Sequence, residues 1–108
     1  MTGDLQEEVA ASADVAGLHA TVPTLLLELQ TLLGSATAAV TASTQRGRVP
    51  FRPGPDWTSR IGELAYGVYL LADQTGVSIE EAVLGTADYL RVRAEQQRAA
   101  APSDWLDT

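Results

Sequence analysis

The sequence predicts an all-α fold, a small helical bundle that a second copy of the chain completes. Three observations lead there. Apolar residues recur at three- and four-residue steps in two long stretches, 25–40 and 61–72. Residues 78–81 read Ser-Ile-Glu-Glu, a capping-box signature that opens a third helix. The stripes are narrow, so three helices give a marginal core for one chain. A bundle assembled by two chains, or helped by an N-terminal helix, is the natural architecture.

Residues 1–20 are acidic and alanine-rich, and Leu5 and Val9 lie four apart. That supports a mobile arm or a short helix that needs a partner surface. Residues 21–43 form the first strong helix. Thr21 is its candidate N-cap, and Pro23 is tolerated in the first turn, where its missing N–H has no partner in any case. Leu25, Leu26, Leu29, Leu32, Leu33, Ala36 and Val40 share one wide face, and the small residues after Gly34 let another helix approach closely.

Residues 44–55 are a loop, because Gly47, Pro50, Pro53, Gly54 and Pro55 block regular structure. Asp56 or Thr58 can cap the next helix, whose stripe is Ile61, Leu64, Ala65, Val68, Leu71 and Ala72. Gly76 ends it in the usual C-terminal position. The capping box then starts a helix from Ile79 to about Gln97, with Ser78 as N-cap, Val77 and Ala82 as a hydrophobic staple, and Ala82, Val83, Thr86, Ala87 and Leu90 inward. Pro102 marks its end. The chain thus divides into an N-terminal arm or short helix (1–20), a helical domain (21–100) and an acidic tail (101–108) that contains Trp105.

Composition bounds the function. The 108 residues suffice for one domain, and 45% hydrophobic content is enough for a core. There is no cysteine, which removes disulfides, thiol nucleophiles and cysteine-ligated zinc. His19 is the only histidine, so a histidine-rich metal site is excluded within one chain, and its place before the helix predicts an exposed ring. The acidic start is no signal peptide, and no stretch approaches the roughly 20 apolar residues of a membrane span. We therefore expect a cytoplasmic protein with no membrane partner. Net charge is -7, so nucleic acid is not an expected partner either.

Residues 60–93, RIGELAYGVYLLADQTGVSIEEAVLGTADYLRVR, resemble the back half of a MazG-like domain. In that family a helix bearing Glu-x-x-Asp runs through Leu-rich sequence to Leu-Ala-Asp, turns, and enters a helix that begins Glu-Glu-Ala-Val. Leu71-Ala72-Asp73, Gly76-Val77 and Glu80-Glu81-Ala82-Val83 stand here in that order, and Trp57 fits the aromatic that often precedes the helix. The family's Glu-Glu-x-Gly-Glu falls on Thr31, Leu32, Gly34 and Ser35, where only the glycine matches; a shifted register recruits Glu28.

The resemblance implies hydrolysis of a nucleoside triphosphate between its α and β phosphates, with Mg²⁺ as cofactor and a homodimer as the assembly. Mg²⁺ wants about six oxygens from carboxylates, water and phosphate. Here Arg60 and Glu63 take the Glu-x-x-Asp positions, so the carried-over catalytic and metal residues reduce to Glu28 and Glu63. The family's Lys and Asn on the last helix fall at Thr86 and Leu90, which leaves Arg91 and Arg93 as phosphate-binding groups. Arg46 and Arg48, in a loop with Arg52, Phe51 and Trp57, form a second candidate patch, since guanidinium suits phosphate oxygens.

Two carboxylates are a thin metal set, and the expected activity is weak or lost. Helix spacing alone offers plainer roles. Arg60 and Glu63 read as an exposed i, i+3 pair worth a few tenths of a kcal/mol. The loop arginines read as partners of acidic residues in this chain or a second copy. Tyr66 and Tyr69 read as packing residues. The alternative function is a non-catalytic helical protein-interaction module.

Overall fold

The computed structural model describes residues 2–107, with side chains for 5–100. Four helices follow in order: α1 (Thr2–Ala16), α2 (Val22–Ser43), α3 (Trp57–Gln74) and α4 (Ile79–Asp107). The described residues are helix and connecting turns throughout, which makes the fold all-α.

Local chemistry sets most of the boundaries. Thr21 has extended backbone and its hydroxyl accepts from Thr24 N–H at 3.3 Å, the expected N-cap of α2, with Pro23 in the first turn. The C-terminus of α2 unwinds through Gln45, Arg46 and Gly47, all with positive φ. Buried Thr44 stabilises that bend, donating to the Val40 carbonyl at 2.8 Å and accepting from Gly47 N–H at 3.2 Å. Phe51 then meets Trp57 edge to face, with ring centroids 4.9 Å apart, and so ties the loop to the start of α3.

Asp56 occupies the N-cap position of α3 without a side-chain cap bond; its carboxylate pairs with Arg60 instead. At the other end Gly76 has φ +73°. Its N–H bonds the Asp73 carbonyl, and Val77 N–H bonds the Ala72 carbonyl at 2.9 Å. That is a Schellman ending, with glycine where a left-handed residue is needed.

Half of the capping box forms: Ser78 Oγ accepts from Glu81 N–H at 3.3 Å. The Ile79 N–H is taken by Gln6 Oε1 of α1 at 2.9 Å, while Gln6 Nε2 donates to the Val77 carbonyl at 2.8 Å. One glutamine thereby holds both sides of the α3–α4 turn. The segment expected as an arm or short helix is a 15-residue helix docked on α3, with Val9 and Ala13 buried.

The core is small. Val9, Ala13, Leu25 and Leu70 are its buried members, with Ala20, Tyr66, Tyr69 and Leu71 packed against them. The packed face of α3 is turned only partly from the expected stripe, of which Ala72 is buried and Leu64 and Leu71 are half-buried. Tyr66, Gly67 and Leu70 lie inward, whereas Ile61, Ala65 and Val68 are exposed. Gly67 lets α2 approach so closely that a Cβ there would lie 2.6 Å from Leu29 Cδ2.

Three expectations need correction. The α4 stripe is not inward: Val83 is 57% exposed and Leu90 53%. α4 touches α1 and α3 only near its start and never meets α2 among the described residues, so nothing in the same chain covers the stripe. Periodicity reveals that a helix has an apolar face, not what lies against it. Second, the backbone of α4 runs past Pro102 to Asp107. A proline removes one N–H from the ladder at a cost of about 3 kcal/mol, which weakens a helix without always ending it. The Trp105 side chain lies outside the described residues. Third, α2 is long and apolar enough to cross a membrane by length and composition. Glu28 is its one charged residue. Only 11% of that apolar window is buried, Leu25 and Ala36 being its buried members, so the single chain leaves most of the helix uncovered.

The result is an open molecule. The radius of gyration is 18.9 Å, against about 13 Å for a compact domain of this length. The accessible surface is 8135 Å², about 2,300 Å² more than the roughly 5,800 Å² of a compact monomer of this mass.

Candidate functional site

A groove of about 620 Å³ lies between α2 and α3. The helix α2 contributes Leu25, Glu28, Leu29 and Leu32; α3 contributes Ser59, Gly62, Glu63, Tyr66, Gly67 and Leu70; Leu18 closes one end. Five of its eleven lining residues are leucine, and the two helices approach closely at Gly67. Glu28 and Glu63 line the groove from opposite helices and are both exposed. Two residues 35 apart in sequence therefore line one cleft.

The other candidates are placed differently. Arg60 is no partner of Glu63. Its Nε donates to Asp56 Oδ2 at 3.3 Å and one terminal nitrogen donates to Ser35 Oγ of α2 at 2.9 Å. That guanidinium ties α2 to α3 and does not line the groove. Arg46 and Arg48 sit in the loop after α2, and Arg91 and Arg93 on the exposed part of α4. None of these four arginines lines the groove. Arg91 pairs with Asp88 of its own helix. Among the described residues no group of three Asp, Glu, His or Cys side chains stands close enough to hold a metal ion.

Sequence reasoning missed a polar clasp at the far end of α3. Gln74 Nε2 donates to the Ala20 carbonyl at 2.5 Å, and its Oε1 accepts from Ala20 N–H and faces His19 Nδ1 at 3.1 Å. His19 Nε2 meets Asp14 Oδ1 at 2.5 Å, so both ring nitrogens are engaged although the side chain is still 37% exposed, in line with the exposed ring expected. The hydrogen bond to Gln74, then those made with Asp14, push the imidazole above its ordinary value of 6.5; Asp73 adds to the pull. Tyr66 hydroxyl and Ser12 Oγ lie 2.6 Å apart, another tie between α1 and α3. Tyr66 and Tyr69 pack against the core, as their spacing predicted. No pattern in the sequence announces the Gln6 and Gln74 contacts, which join residues more than 50 positions apart.

No family model, curated protein or solved structure matches the chain.

Proposed function

We propose that the protein is a homodimeric, MazG-like nucleotide-pyrophosphohydrolase-fold protein whose α2–α3 groove takes a nucleoside triphosphate with Mg²⁺, and in which hydrolysis is weak or lost. One observation carries this reading: Glu28 and Glu63, the two carboxylates at or beside the family's acidic positions, line the same groove from facing helices. Mg²⁺ is commonly held by one or two carboxylates, with water and phosphate oxygens completing its shell. Two carboxylates across one groove would serve in that mode only with the substrate's own phosphate oxygens as further ligands. Glu28 and Glu63 would hold the ion, which supplies charge neutralisation at the phosphates.

The chain's own geometry also accounts for weak chemistry. Hydrolysis between the α and β phosphates builds negative charge that fixed cations must meet. Arg46, Arg48, Arg91 and Arg93 stand away from the groove in the single chain, and Arg60 is held by Asp56 and Ser35. The leucine-rich lining suits the apolar face of a base better than a triphosphate.

The test is pyrophosphate release from each common NTP and dNTP, with Mg²⁺ and then Mn²⁺. Slow release that disappears in Glu28→Ala and Glu63→Ala supports the reading. Turnover that survives both substitutions overturns the assignment of the site. A specific observation favours a second reading, a non-catalytic interaction module: Val83, Leu84, Tyr89 and Leu90 of α4 are all more than half exposed. A complete nucleotide panel without a rise in melting temperature would favour that module.

A further inference from the structure

We propose that α4 pairs antiparallel with the α4 of a second copy, and that residues 93–98 of the partner's helix fill the cleft between α3 and α4. This rests on the homodimer proposed above and gives it an interface and an orientation.

Four observations converge. The chain exposes about 2,300 Å² more than a compact monomer of its mass, whereas a standard interface covers about 800 Å² on each partner. The exposed stripe of α4, Val83, Ala87, Leu90 and Ala94, repeats with steps of four, three and four, the spacing of a helix seam. Beside its start lies an apolar cleft of about 400 Å³ formed by Ala65, Val68, Tyr69, Ile79, Val83 and Leu84. Glu80 also lines this cleft, and its Oε1 is buried with no hydrogen-bond partner. A buried carboxylate oxygen without a donor is costly, and rotation of the Glu80 side chain into the cleft exposes it to a donor from a docked partner.

Charge selects the occupant and its direction. The first part of α4 carries Glu80, Glu81 and Asp88 and no basic residue; the following part carries Arg91, Arg93 and Arg98 against Glu95. A parallel pair sets acid against acid. An antiparallel pair sets each acidic start against a basic continuation. Glu80 and Arg98 are about five turns apart and so share one side of the helix. An overlap that puts Val83 against the partner's Ala94, and Ala87 against the partner's Leu90, brings the partner's Arg98 towards Glu80.

The chain has no cysteine, so introduced thiols report the geometry cleanly. Val83→Cys and Ala94→Cys chains are oxidised separately and as an equal mixture, with sedimentation giving the oligomeric state and circular dichroism the helix content. The proposal expects dimers throughout, and a disulfide-linked species that forms mainly in the mixture. Efficient linkage of Val83→Cys to itself shows a parallel pair and overturns the orientation. Dimers with no linkage in any sample overturn α4 as the interface but leave the homodimer standing. A monomer at every concentration overturns both. In a second arm, Glu80→Arg and Arg98→Glu chains each dimerise more weakly alone than when mixed, because only the mixture restores both pairs. Equal weakening in the mixture refutes the pairing.

Discussion

Replacing Leu70 by alanine tests whether the small core is what joins α1, α2 and α3. Leu70 is 3% exposed and packs with Val9, Ala13 and Leu25 where those helices meet. Truncation removes about three carbon groups, roughly 2.4 kcal/mol of transfer free energy at about 0.8 kcal/mol each. A rigid sealed cavity would add to this and carry the cost towards the upper end of the usual range of about 2–5 kcal/mol. Leu70 also lines the open α2–α3 groove, so the space left behind joins solvent rather than standing as a sealed void. The expected loss is therefore about 2.5 kcal/mol, in the lower half of that range. Urea unfolding at fixed protein concentration measures it, with thermal melting expected to fall by about 10 °C. Leu27→Ala is the control, since Leu27 is 63% exposed and outside the core cluster; its cost is expected below about 0.5 kcal/mol. A loss under about 1 kcal/mol for Leu70→Ala, or equal losses for the two variants, refutes the packing argument.

Three further outcomes are expected. His19 has a raised pKa, so protonated His19 stabilises the clasp fully below about pH 6.5, and that contribution fades as pH rises through the folded value. An NMR titration of the ring above 6.5, with His19→Ala removing that pH dependence of melting, checks it; a midpoint at or below 6.5 contradicts it. Gln6→Ala removes the partner of the part-buried Ile79 N–H and of the exposed Val77 carbonyl, which water can replace, and should cost about 0.5–1.5 kcal/mol. Faster amide exchange at Ile79 is the signature, and unchanged protection there would show that the glutamine does not hold the turn. Glycine substitutions should differ in sign. Gly76→Ala strains a position at φ +73° and should destabilise by about 1–2 kcal/mol, whereas Gly85→Ala meets open space within α4 and should stabilise by about 0.5–1 kcal/mol. Chemical denaturation of the pair reads both, and a common sign defeats the reasoning.

The legible parts of the fold are those in which cause and effect lie close in sequence. Thr21, Pro23, Ser78 and Gly76 act on their own turns, and each does in the structure what its residue type implies. The leucine steps in α2 and α3 likewise mark helices correctly. Which side of each helix is covered is a different question, settled by contacts between elements. Gly67 shows why: a glycine lets α2 in against Leu29, which pulls Tyr66 and Leu70 inward and leaves Ile61 and Val68 outside. The Gln6 clamp and the Gln74 clasp were illegible for the same reason, because glutamine has no preferred long-range partner. At the candidate site the sequence supplied Glu28 and Glu63, and their shared groove is the structure's contribution. The plain helical spacing of Arg60 and Glu63 misled, because Asp56 one turn earlier and Ser35 across the helix interface claim that guanidinium.

The most direct test of the proposed function is the melting temperature of the wild-type chain and of the Glu28→Ala/Glu63→Ala double variant, each with and without nucleoside triphosphate and Mg²⁺. A ligand that binds the folded state raises the melting temperature, and the rise grows with the logarithm of its concentration above Kd. The groove reading predicts a rise for the wild type that needs both nucleotide and metal and is absent in the double variant. No rise for the wild type across the whole panel, or an equal rise in the double variant, contradicts it.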